Sequence, residues 1–164
     1  MSVENLKIKQ AIVEEIKGKI DGAKSVVVID YMGTTVDEAT AMRKALREAN
    51  VEYSVYKNTM IKRAIAGTEF ESLASVLEGP SAIAISKDDA VAPARVLAKS
   101  IKDTGKMAFK AGVVEGVAYD AAGIEALSEI PSREVLLAKF LGSIQSPISK
   151  AVRTFQAIAD AKAE

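Results

Sequence analysis

Lys57-Asn58-Thr59, followed by Lys62 and Arg63, sets a cation, an amide and a hydroxyl where an apolar strand end runs into a helix start. Two kinds of chemistry fit. Asn58 or Thr59 can cap the helix by accepting a hydrogen bond from a first-turn N–H group. Alternatively, the free N–H groups and partial positive charge of the helix start, reinforced by Lys57, can hold a phosphate. Met60, Ile61, Ala64 and Ile65 form the apolar face of this short helix, so its cations project away from the core. A second basic group precedes it. Arg43 and Arg47 are four residues apart and share a helical face, with Lys44 beside them. A solvated face near Glu48 is the plainer reading of that pair. The segment "DYMGTT" adds Tyr31, with a ring and a hydroxyl, and Gly33, which permits a tight turn. Alone it is an ordinary strand-to-helix loop. In a small α/β sheet, however, strand ends and loops are where binding groups collect.

Enzyme chemistry finds no comparable set. The chain has no His and no Cys, which removes Ser-His-Asp and Cys-His catalysis, zinc-hydrolase motifs, thiolate metal sites and disulfides. No glycine-rich phosphate loop and no G-x-S-x-G elbow occurs. Asp30, Asp88 and Asp89 have the chemistry for a hard cation, but strand ends and helix caps explain them better. No cofactor and no metal is expected.

The 164 residues, 49% of them hydrophobic, suffice for one core with a small appendage. Lys and Arg total 22, as do Asp and Glu, so a whole-chain basic footprint is absent. A local basic patch is still allowed, because charge acts within a Debye length of about 8 Å. The lack of Cys suits a cytosolic compartment. "MSVENLKIKQ" lacks a signal peptide's apolar run, and no stretch approaches the ~20 apolar residues of a membrane span. With no Trp and few aromatics, extensive base stacking is not expected.

These groups need elements to hold them. Leu6, Ile12, Val13, Ile16 and Ile20 recur near helical spacing, ending at Gly22. "SVVVID" (25–30) is apolar on both alternating faces, as a central strand should be. Thr35 and Glu38 form a T-x-x-E capping box opening a helix to about residue 49. "VEYSVY" (51–56) alternates as a second strand, followed by the helix to Ala66 and a further helical piece over 69–77. Gly79-Pro80 turns into a third strand, "SAIAIS" (81–86), and Asp88 or Asp89 is placed to cap the helix that reaches Ile101. Met107 to Val113 alternates as a fourth strand, and "EGVAYDAAGIEALSEI" reads as a turn and a short helix. The order predicts an α+β fold: a ferredoxin-like split βαβ sheet with extra helices, followed by a long C-terminal helix. A doubly wound parallel sheet is the alternative, for which four strands are few. Residues 1–130 are expected to form the α/β domain and 131–164 the C-terminal helix.

From Glu134 to Lys162 the helical pattern is broken only around "SIQSPIS", where Ser146 and Pro147 either stop one helix and start another or kink a single one. Its apolar stripe falls into two clusters. Leu137, Phe140, Leu141 and Ile144 make the first; Ile148, Val152, Phe155, Ile158 and Ala159 make the second. Packing on the chain's own core is one reading. A partner that lays its own helices along this one is the other.

Several segments together resemble the bacterial form of the tenth large-subunit ribosomal protein, the ribosomal stalk-base family related to the P-zero proteins. They are "KQAIVEEI", "VVVIDYMGTTV", "RKALREANVEYSVYKNTMIKRA" with its Lys-Asn-Thr run, "LEGPSAIAIS", "LSEIPSREVLLAKFLGSIQSP" and "VRTFQAIADAKAE". Met32 departs from a basic residue frequent in the family, and Met60 replaces a common Leu. The resemblance implies a protein with no catalytic activity, on the cytoplasmic ribosome. It implies an N-terminal domain bound to large-subunit ribosomal RNA beside another stalk-base protein. It further implies a C-terminal helix holding dimers of the acidic stalk protein, which bring GTPase translation factors to the ribosome. Free complexes of this kind can also bind their own messenger leader and repress synthesis. On this reading the RNA contacts are Arg43, Arg47, Lys57, Asn58 and Arg63, supported by Lys9, Tyr31, Gly33, Thr35 and Thr59. Each of the two apolar clusters on the last helix takes one stalk dimer, with Pro147 setting the angle between them. A non-ribosomal scaffold and a small α/β enzyme are the alternatives.

Overall fold

Val26 and Val28 turn to one face of the first strand and Val27 and Ile29 to the other, and all four are buried. A strand with two buried faces needs cover on both sides, and the surrounding elements supply it. The computed structural model describes the backbone of residues 3–163, and the side chains of residues 7–156 except Ile148, Ala151, Val152 and Phe155. Two compact units emerge, Met1–Ile130 and Pro131–Glu164.

In the first unit α1 (Val3–Ile20) leads to β1 (Ser25–Asp30), α2 (Val36–Glu48), β2 (Val51–Ser54) and α3 (Asn58–Ile65). A 3-10 helix (Glu71–Ser75), β3 (Ala82–Ser86), α4 (Ala92–Thr104), β4 (Ala108–Val114), β5 (Val117–Asp120) and α5 (Ala121–Ser128) follow. The strands lie in the order β2-β3-β1-β4-β5, with every neighbouring pair antiparallel. The first four positions follow the ferredoxin-like split βαβ order, and the antiparallel pairing excludes the doubly wound alternative.

Two cores flank the sheet. One joins Ile16 and Ile20 of α1 to Ile61 and Ile65 of α3, with Phe70, Leu73 and Leu77 closing it. The other joins Met42 and Leu46 of α2 to Leu97 of α4 and Ile124 of α5. The helices read as extra are therefore the second cover of the central strands. Each such aliphatic side chain contributes roughly 1.5–3 kcal/mol when fully buried.

Several boundaries differ from the sequence reading. β5 is a fifth strand where the sequence pattern predicts a turn. Val114 pairs with Val117 across a two-residue loop, Glu115-Gly116, with φ of 51 and 80. Positive φ at both positions makes the tight hairpin turn that matches strand twist. β4 does not alternate throughout: its register against β1 shifts between Val28 and Ile29. The helical piece after α3 is a 3-10 helix, Glu71–Ser75, shorter than the 69–77 expected. Neither Asp88 nor Asp89 occupies the N-cap of α4, which is Val91. Asp89 accepts from the Val91 N–H (3.1 Å) and pairs with Arg95 (3.3 Å) just ahead of the helix.

In the second unit α6 (Arg133–Ala163) is one helix of 31 residues that passes through Pro147 without a stop. Pro147 has no N–H to donate to the preceding turn, but a single missing bond does not end a helix whose neighbours on both sides favour it. At ~1.5 Å per residue those 31 residues span about 46 Å.

Candidate nucleic-acid interface

β2 is an edge strand, and the predicted basic groups flank it and its continuation into α3. On α2, Met42 and Leu46 point into the core while Arg43 and Arg47, one position on, stay exposed. The Arg43 guanidinium lies 5.6 Å from the centre of the Tyr53 ring, a cation–π distance. Burial pushes the Tyr53 hydroxyl pKa upward; Arg43 opposes this and neighbouring Tyr31 adds to it. Arg43, Arg47, Tyr53, Val55 and Tyr56 line an open hollow of about 490 Å³. A second hollow, about 380 Å³, is lined by Tyr31, Val55, Tyr56, Lys57, Asn58 and Thr59 together with Gly79, Pro80 and Ser81. Val55 and Tyr56 belong to both. The two hollows therefore form one continuous surface along the sheet edge, lined by three of the chain's four tyrosines.

Tyr56 is fixed from α1. Its hydroxyl donates to Glu15 (3.1 Å) and accepts from Lys19 (2.9 Å), while Lys19 and Glu15 pair at 2.6 Å. The hydrogen bonds from Lys19 and Tyr56 hold the Glu15 carboxyl below its usual range, and the bond to Glu15 raises the Lys19 ammonium pKa. The Glu15–Lys19 spacing of four was legible as a helical pair; its target across the fold was not.

The start of α3 corrects the capping expectation. The N-cap position is Lys57, in extended geometry (φ −64, ψ 131), and no side chain caps the helix. Asn58 is already helical, and its side-chain amide donates instead to the Gly79 carbonyl at 2.7 Å. The Met60 and Ile61 N–H groups bond to the Lys57 carbonyl (2.8 and 3.2 Å). The Asn58 and Thr59 N–H groups stand ahead of that first turn, where a helix offers donors to an anion. Thr59 and Arg63, one turn apart, are exposed on the outer face of α3, opposite buried Ile61 and Ile65.

The loop after β1 is tightly held. Asp30 accepts from the Met32 N–H (3.0 Å), and the Thr34 hydroxyl donates to the Tyr31 carbonyl. Gly33 has φ 81, a left-handed value that L side chains avoid. Thr35 and Glu38 form the predicted capping box (2.8 and 3.4 Å), which commits the Thr35 hydroxyl to α2. These bonds, with Lys106 at 3.1 Å, hold the Glu38 pKa low. Met32 is 67% exposed. Tyr31 joins the second hollow; Lys9, half-buried on α1, lines neither.

Lys110 is the residue the sequence reading missed. Its ammonium donates to the carbonyls of Glu78 (2.6 Å) and Pro80 (2.6 Å) and to the Ser81 hydroxyl (3.1 Å), with Asp30 at 3.7 Å. A lysine between Phe109 and Ala111 in an alternating strand gave no sign of this reach.

On α6, Leu137, Phe140, Leu141 and Ile144 are 53–64% exposed, a continuous apolar patch on one helix. The side chains of Ile148, Val152, Phe155, Ile158 and Ala159 lie outside the described residues.

Comparison with known proteins covers both units. Residues 4–102 match the family model described as Ribosomal protein L10, and residues 130–164 match that of the Ribosomal protein uL10 C-terminal region. The chain belongs to the uL10 family of large-subunit ribosomal proteins. The large ribosomal subunit protein uL10 of Bacillus licheniformis is 44% identical over 97% of this chain and 96% of its own length. Those of Finegoldia magna and Bacillus cereus are 46% and 45% identical, over 95% and 97% of this chain and 87% and 96% of their own. As a uL10 family member the chain is a ribosomal protein of translation, placed on the cytoplasmic ribosome, and not an enzyme.

Proposed function

We propose that the first unit binds large-subunit ribosomal RNA through the surface along β2 and the start of α3. The observation that carries this reading is the continuity of the two hollows. It brings Arg43, Arg47, Lys57, Thr59 and Tyr31 onto one face of a chain with no net charge. Cations beside unused helix N–H groups suit phosphate, and rings beside them suit an unpaired base. Lys57, Arg43, Arg47 and Arg63 contact the RNA backbone. Asn58, Gly33 and Thr35 shape the surface, and Lys9 extends it from α1.

The second unit anchors acidic stalk-protein dimers along α6 and so helps bring GTPase translation factors to the ribosome. The exposed patch from Leu137 to Ile144 supports this role, because a bare apolar helix face of that kind is a docking face for amphipathic helices. Two dimers bind in tandem: one at Leu137, Phe140, Leu141 and Ile144, the other at Ile148, Val152, Phe155, Ile158 and Ala159. A neighbouring stalk-base protein packs beside the RNA surface. The free complex binds its own messenger leader and represses synthesis.

Two measurements test the reading. The protein should co-sediment with large ribosomal subunits in high salt; sedimentation apart from them would favour a non-ribosomal scaffold. Native mass spectrometry should find two stalk dimers on the full chain and one on Phe155→Ala. One or three dimers on the wild type, or no change in Phe155→Ala, would refute the tandem sites.

A further inference from the structure

β4 carries one residue more than the stretch of β1 it pairs with. Val28 stands opposite Ala111 and Ile29 opposite Phe109, which leaves Lys110 as the unpaired residue of a β-bulge. A bulge re-aims the side chain it carries. Here Phe109 packs in the α2/α4 core and Ala111 in the α1/α3 core, and Lys110 between them is free to leave the alternation. Its ammonium meets three acceptors on the 78–81 loop: two carbonyls at 2.6 Å and the Ser81 hydroxyl at 3.1 Å. An ammonium has three donors, so all are committed, and the side chain is only 16% exposed.

The same loop is held from α3 by the Asn58 amide on the Gly79 carbonyl. Between the two anchors Gly79 takes a φ of 65, which lets its carbonyl and those of its neighbours turn toward different partners. Gly79 and Pro80 in turn line the same hollow as Tyr31, Lys57, Asn58 and Thr59.

We propose that Lys110 is a positioning residue of the RNA surface. It fixes the Gly79-Pro80 wall, and through Asn58 the start of α3, without touching RNA itself. The inference rests on the RNA-binding reading of that surface. The test titrates the full-length protein and its Lys110→Met, Lys110→Gln and Lys57→Ala variants with an in vitro transcript of large-subunit ribosomal RNA across a salt series. Lys110→Met should bind about tenfold more weakly with the salt slope of the wild type, and amide exchange at Glu78, whose N–H bonds to the Val76 carbonyl (2.8 Å), should quicken. Lys110→Gln keeps an N–H donor and should recover part of the loss. If Lys110→Met does not unfold cooperatively, the Gln variant carries the comparison by the same slope and exchange readouts. Wild-type affinity despite a loosened loop would overturn the proposal. So would a slope reduced by one phosphate contact, because Lys110 would then touch RNA. Failure of the underlying RNA reading looks different: Lys57→Ala would also bind like the wild type.

Discussion

Lys57 occupies the N-cap of α3 without using its side chain for the cap, and among the described residues its ammonium has no partner. That distinguishes it from Lys19, Lys106 and Lys110, each committed to the protein. Lys57→Ala should therefore leave stability within about 0.5 kcal/mol and remove one phosphate contact, lowering the salt slope of RNA binding by ~0.7–0.9. An RNA titration across salt, with a denaturant melt alongside, checks both. Asn58→Ala tests the corrected role of its neighbour. Losing the amide leaves the Gly79 carbonyl without that donor, a cost of about 1 kcal/mol, read as a lower melting temperature. The sequence told which residues were basic and that they clustered. It could not tell that Asn58 reaches across to another loop, because that bond spans 21 residues and depends on the tertiary turn at Gly79.

At the scale of elements, legibility followed periodicity. β1 and α2 declare themselves through a run of Val/Ile and a capping box, and both formed as read. β5 did not declare itself, because its hairpin uses Glu115 at a positive φ where Asn or Asp would give the usual signal. The bulge at Lys110 was hidden for a related reason: alternation on paper runs unbroken through a position where the paired register slips. Gly112 shows a different constraint. A Cβ there would stand 3.1 Å from the Ile124 side chain, 3.1 Å from the Val26 carbonyl and 3.3 Å from Val27. The close seating of α5 against β4 depends on that missing methyl. Gly112→Ala should destabilise the protein by about 1–3 kcal/mol through overpacking, seen as a lower denaturant midpoint at unchanged slope. A wild-type midpoint would mean α5 can shift at no cost.

At the scale of the molecule, the first unit holds the whole sheet, both cores and the basic surface, and the second is a single helix with bare apolar side chains. Each family match falls within one of these units or at their boundary, residues 4–102 and 130–164. Burial explains why the first should stand alone: its strands are covered by its own helices. The most direct measurement is the affinity of residues 1–130 for the large-subunit ribosomal RNA transcript, set beside that of the full chain. Cooperative unfolding of residues 1–130 with RNA affinity equal to the full chain is the expected result. A loss of more than about tenfold in a fragment that still folds would contradict it, and would place RNA contacts on α6.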